Sequence, residues 1–173
     1  MMYRFVILAL LLVSLVGCDQ ASKHYAVTHW KNQPPQSYLG DVFRIHYAEN
    51  PGAFLSLAAG LPRAARFWLL TVMNAAVLAG VGWFLLFRRD VDRMTFAALG
   101  LILAGGIGNL IDRVRLDGIV IDFLNVGIGG VRTGIFNVAD IAITAGFLML
   151  VPIMFASQPS ETPPQPASSS ESS

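Results

Sequence analysis

Four apolar runs, roughly Tyr3 to Gly17, Phe67 to Phe87, Met94 to Ile111 and Val138 to Phe155, decide which solvent this chain folds in. A hydrocarbon core of about 30 Å is crossed by about 20 helical residues, and the last three runs reach or nearly reach that length. They read as transmembrane helices. With 54% of the 173 residues hydrophobic and 13% charged, the balance is too apolar for an ordinary soluble domain.

The first run follows Arg4 and ends in Leu15-Val16-Gly17-Cys18, which alone has the form of a lipoprotein signal peptide ending at its lipidation cysteine. The three spans after it favour a different reading, the opening helix of a bundle with spans at roughly 3–20, 67–87, 94–111 and 138–155. The lipobox-like setting of Cys18 is then a helix of leucine, valine and small residues meeting a chance cysteine. As the single cysteine, it also excludes an intramolecular disulfide and a thiolate metal cage.

Between the first two spans a polar segment runs from Asp19 to Arg66. Its alternating stretch Val42-Phe43-Arg44-Ile45-His46-Tyr47 predicts a short strand or two at the membrane surface. Arg88, Arg89, Asp90 and Arg93 form a short basic connection, cytoplasmic under the positive-inside rule. Both termini are then cytoplasmic, and the segments Asp19 to Arg66 and Asp112 to Asn137 lie outside. The outer segments hold more lysine and arginine, but charge bias orients a chain most reliably through its shortest loops. The tail 157–173, rich in serine and proline, cannot bury apolar surface and is expected to be disordered, leaving 1–156 as one membrane domain. A net charge of +1 without a long basic cluster gives no reason to expect a nucleic-acid partner.

The chemistry lies in scarce acids. Asp112, Asp122 and Asp140 sit at the ends of, or between, the third and fourth spans, where an unpaired carboxylate beside hydrocarbon costs several kcal/mol. For any one of them, helix capping or an ion pair with a nearby arginine is the competing explanation. Asn109, Asp112 and Arg113 in Gly-Asn-Leu-Ile-Asp-Arg recur at spacings of three and four, so they share a face at the outer end of the third span. Gly105, Gly106 and Gly108 before them suit close helix packing in lipid. Asp122 is flanked by apolar residues, so desolvation would raise its pKa. Asp140 closes Phe-Asn-Val-Ala-Asp, with Asn137 on the same face as the fourth span begins. Two carboxylates meeting in a partly dry site share a proton, which is aspartic-protease chemistry: one takes a proton from water while the other polarises the scissile carbonyl. Spacing alone does not separate Asp112 from Asp122 as the first member.

The ordered set Asp19-Gln20-Ala-Ser-Lys23, Glu-Asn50-Pro-Gly52-Ala-Phe, Gly108-Asn109-Leu-Ile-Asp112-Arg113, Val-Ile-Asp122-Phe and Phe136-Asn137-Val-Ala-Asp140 resembles the lipoprotein signal peptidase (signal peptidase II) family. The resemblance covers nearly everything from the first helix to about Phe155. It implies an all-α integral membrane aspartic endopeptidase of four transmembrane helices, with a small extracytoplasmic β-cradle and a short surface helix. The strands near Phe43 to Tyr47 and the stretch Leu55 to Arg66 would supply those two parts. It implies a catalytic dyad of Asp122 and Asp140, with Asn50, Gly52, Asn109, Arg113 and Asn137 lining the substrate site and Asp112 in support. One departure stands out: Phe54 follows Ala53 directly, where the family has glycine, two alanines and then phenylalanine.

The substrates implied are diacylglyceryl-modified prolipoproteins, cut just before the lipidated cysteine at the outer face of the bacterial cytoplasmic (inner) membrane. The resemblance further implies globomycin as an inhibitor; membrane lipid as surroundings, a monomer, and no cofactor or metal are expected alongside it. Asp19 and Lys23, four apart with the acid first, read as a structural ion pair ending the first helix, while the resemblance places them near the active site in support. His24, His29 and His46 lack companion acids at metal-ligand spacing, and no serine or cysteine has the setting of an activated nucleophile. Two rivals remain: a scaffold anchored through Cys18, and a proton carrier relaying through Asp112 and Asp140. Both leave the ordered motifs unexplained.

Overall fold

The computed structural model describes residues 2–51, 60–88 and 90–156. Gly52, the altered Ala53-Phe54 loop, the first part of the expected surface helix and the tail 157–173 lie outside the described residues. Helix α1 is Met2–His29 and is followed by strands β1, Gln36–Tyr38, and β2, Phe43–Asn50. Helix α2, Arg63–Phe67, runs through a π-helical segment, Trp68–Met73, into α3, Asn74–Phe87. Helix α4, Arg93–Arg115, leads to β3, Val120–Ile128, β4, Val131–Arg132, and α5, Val138–Ala156.

Tyr3–His29, Trp68–Phe87 and Arg93–Arg115 are long and apolar enough to cross a membrane, and the shorter apolar helix Val138–Ile153 packs with them. Two expectations need correction. Helix α1 does not end near Gln20 but runs on to His29, because no glycine or proline follows Gly17 until Pro34. Asp19 and Lys23 therefore sit inside a helix rather than at its end. The described part of the expected surface helix also behaves differently: Gly60 to Pro62 form a turn, and Arg63 onward is the start of the second apolar helix. The connection after α4, for which the sequence reading named no element, carries strands β3 and β4. Val120-Ile-Asp-Phe-Leu-Asn-Val is rich in branched and aromatic residues, and its first four residues are buried.

Helix α4 is the hub, packed against α1, α3 and α5. Its N-terminus is capped by Asp92, whose side chain accepts from the Met94 and Thr95 amides at 2.9 Å. Its glycines admit each neighbour in turn. A Cβ on Gly100 would touch Leu8 and Leu11 of α1, one on Gly106 would collide with Leu78 of α3, and one on Gly105 with the Ala139 carbonyl of α5. Close backbone approach of this kind substitutes for a hydrophobic driving force that lipid does not supply. Gly105→Ala is accordingly expected to destabilise the detergent-solubilised protein by about 1–3 kcal/mol, a melting shift of several degrees. Gly17→Ala, where a Cβ meets nothing within 4 Å, is the matched control and leaves melting unchanged or slightly higher. Equal melting of the two variants would refute this account of α4.

The strands form one antiparallel sheet in the order β1-β2-β3-β4. Leu8, Leu78, Leu85, Val91, Phe96 and Leu103 make an apolar core among the helices, while Ala26, Ile121 and Phe123, with Trp30 and Tyr47, bind the end of α1 to the sheet. Along α1 and α4 alike, the buried polar residues lie between those two cores: Asp19 and Lys23 on one helix, Asn109, Asp112 and Arg113 on the other.

Candidate active site

Asp122 owes its position to register. Pairing of β2 with β3 sets Ala48 opposite Asp122 and Asn50 opposite Val120, with an irregularity between Ile45 and Ala48 that re-aims the strand beside the site. Asn50 Nδ2 donates to Asp122 Oδ2 at 2.9 Å. Phe136 then pairs with Leu124, which folds the start of α5 back onto β3 and delivers Asn137 and Asp140 to the same place.

Asn137, completely buried, joins the two acids. Its Oδ1 accepts from the Asp140 amide at 2.9 Å, while Asp140 Oδ2 accepts from the Asn137 amide at 3.1 Å, a reciprocal cap at the first turn of α5. Its Nδ2 donates to Asp122 Oδ1 at 2.7 Å and lies 3.1 Å from Asn109 Oδ1. Asn109 Nδ2 donates in turn to Asp140 Oδ1 at 2.8 Å. Three asparagine amides thus hold two carboxylates from three directions. The capping explanation for Asp140 is also realised, since one of its oxygens caps α5 while the other faces Asn109.

An ionic cluster adjoins this pair. Lys23 Nζ lies 2.9 Å from each of Asp19 Oδ2, Asp112 Oδ2 and Asn109 Oδ1, so all three of its protons are used. Asp19 Oδ1 accepts from the Ala139 amide at 2.9 Å, and Asp112 Oδ2 from the Ile121 amide at 3.2 Å. Gly108 makes room for this: a Cβ there would stand 2.5 Å from Asp19 Oδ2. The cluster meets the acids through Asn109, which accepts from Lys23 and donates to Asp140.

Burial, opposed by the Asn50 hydrogen bond and reinforced by the charge of Asp140, raises the Asp122 carboxyl to about 6. Of the sequence-predicted residues, Asp122, Asp140, Asn50, Asn109 and Asn137 converge on one constellation. Asp19, Lys23 and Asp112 form the neighbouring cluster. Arg113 is buried within the same region, its Nη1 3.3 Å from the Asn109 carbonyl oxygen. Gly52 lies outside the described residues. Asp112 and Asp122, equivalent by spacing, are distinguished by partners: lysine claims the first, and among the described residues it is side-chain amides that hold the second. Cys18 is a free cysteine exposed on α1.

Gln20 was given no role by sequence reasoning. Its Nε2 reaches Asp112 Oδ1 at 3.0 Å and the Gly108 carbonyl oxygen at 3.2 Å, bridging α1 to α4. Its place three residues before Lys23, on the same helical side, was the available signal.

A family model described as Signal peptidase (SPase) II matches residues 11–156. The chain is 38% identical over 140 residues to a lipoprotein signal peptidase of Syntrophus aciditrophicus, covering 81% of this chain and 86% of that protein. It is 33% identical over 154 residues to one of Geobacillus thermodenitrificans, covering 88% and 92%. A solved bacterial membrane enzyme, 26% identical, superposes with a TM-score of 0.76 over 88% of this chain and 94% of that one.

Proposed function

The chain belongs to the signal peptidase II family, bacterial membrane aspartic peptidases, and from that premise we propose that it removes signal peptides from diacylglyceryl-modified prolipoproteins by hydrolysis between Asp122 and Asp140. The observation that carries this reading is Asn137, which hydrogen-bonds Asp122 through its side chain and caps Asp140 through both its side chain and its backbone.

Asp122 carries the shared proton, in keeping with a carboxyl raised to about 6, and donates it to the scissile carbonyl oxygen. Asp140, set by Asn109 and the Asn137 amide, takes a proton from water, and the hydroxide formed attacks the carbonyl carbon. Collapse of the tetrahedral adduct breaks the C–N bond as a proton passes to the departing amine of the lipidated cysteine. The four apolar helices cross the cytoplasmic membrane with both termini inside, and the sheet and the acids face outward. The substrate's signal helix packs against the bundle in lipid, and globomycin competes for the same acids.

Purified protein in detergent is expected to cut a diacylglyceryl-modified precursor just before the modified cysteine, leaving that cysteine as the new N-terminus by mass spectrometry. Equal cutting of the unmodified precursor would sink the lipid requirement. The pH profile tests the proton assignment. Asp122 is protonated below about 6 and loses its proton above it, so kcat/KM is expected to decline as pH rises through that value. A profile that instead climbs through the same range would make Asp122 the base.

A further inference from the structure

Thr71 is the one residue of the π-helical segment that is buried, at 4% exposure, while Trp68, Leu69, Val72 and Met73 around it are 39–64% exposed. Its hydroxyl has no hydrogen-bond partner among the described residues. A threonine in a regular helix ordinarily returns its hydroxyl to a carbonyl about one turn back. Here that bond is not made, and π-helical turns inside longer helices gather at functional sites.

Helix packing locates the hydroxyl. Gly106 of α4 faces Leu78, and Leu103 approaches Gly82 at 3.8 Å from where a Cβ would stand, so α3 and α4 run antiparallel in known register. Following that register toward the start of one helix and the end of the other brings Thr71, about two turns before Leu78, level with Arg113. Arg113 is 8% exposed, and its Nε likewise has no partner among the described residues. Two buried donors on facing helices, unpaired among the described residues, cost about 1–3 kcal/mol each, a cost that is relieved when a ligand supplies the acceptor. Arg113 Nη1 also donates to the backbone oxygen of Asn109, the residue whose side chain holds Asp140, which puts Arg113 one helical turn from a residue that holds the acids.

We propose that Thr71 is a substrate-positioning residue whose hydroxyl, with Arg113 Nε, binds a carbonyl oxygen of the lipid-modified substrate; this rests on the peptidase reading above. The oxygen belongs to the peptide backbone or to an ester of the diacylglyceryl group, which offer the same acceptor.

The test uses the full-length protein and a fluorescent peptide spanning the cleavage site, its cysteine carrying either an ester-linked dipalmitoylglyceryl group or its ether-linked analogue. Thr71→Val, which keeps the shape and removes the hydroxyl, is expected to raise KM and Kd for the ester substrate about 3- to 10-fold with kcat within about 2-fold, and Thr71→Ser to restore both. A penalty that persists on the ether substrate assigns the oxygen to the peptide, and one that vanishes there assigns it to the ester. Thr71→Val matching the parent on both substrates overturns the proposal. So does a loss of kcat and melting temperature that Thr71→Ser does not restore, since that marks a packing role. Failure of the peptidase reading would show separately, as no turnover by the parent, and the Kd comparison would still decide for Thr71.

Discussion

Asp122→Asn and Asp140→Asn are each expected to slow cleavage of a lipid-modified precursor by about 10²- to 10⁴-fold, the range over which a positioned acid or base acts, while the protein still folds. The fold-retention half follows from the site. Asp122 is held by amides rather than by a cation, and its carboxyl is raised from 3.8 to about 6. A carboxyl raised on folding binds its proton more tightly in the folded state, so folded stability declines as pH rises from the unfolded value toward 6, and above 6 the buried anion is a net cost. Asparagine removes that cost, at the expense of one acceptor facing Asn50 or Asn137. Melting at pH 8 is therefore expected within roughly 5 °C of the parent. Near-parental cleavage by both variants in a mass-resolved assay would remove these acids from the chemistry.

Lys23→Met should produce the largest stability loss. It leaves Asp19 and Asp112, 1% and 4% exposed, without the ammonium that lies 2.9 Å from each. Breaking a buried ion pair by deleting one partner costs about 3–5 kcal/mol, because a charge is stranded away from water. For a chain of this size that corresponds to a melting decrease of roughly 6–20 °C. Replacing all three members together, Asp19→Asn, Lys23→Met and Asp112→Asn, removes the stranded charges and is expected to recover part of the loss. Calorimetry in detergent decides it: a single variant as stable as the parent would mean that the ammonium compensates nothing, and a triple variant no better than the single would place the cost in packing.

The apolar runs and motif order left little freedom about the framework. Three long apolar helices and a shorter one appear near the positions read from hydropathy, and Phe43 to Tyr47 lie in a strand. Hydropathy and alternation are local patterns, so they survive without knowledge of neighbours. Boundaries were less legible. The end of α1 looked like the start of a polar segment, because Asp19 and Lys23 are charged; they are helical and buried because the Lys23 ammonium pairs with both Asp19 and Asp112. Strand β3 was hidden inside a connection between spans, since its partner β2 is distant in sequence.

What the sequence alone determined was the solvent, the helical framework and the small set of acids, amides and cations that a membrane interior would not hold without reason. Which of them meet was decided only in three dimensions. Asp112 and Asp122 differ not in composition or spacing but in which side chain from a remote element reaches each, lysine from α1 or asparagine from β2 and the start of α5. Thr71 and Arg113 acquire their significance in the same way, from a helix register fixed by glycines. Hydropathy follows from each residue's own transfer free energy, whereas a hydrogen bond needs two groups brought within about 3 Å, and that proximity is a property of the packed chain.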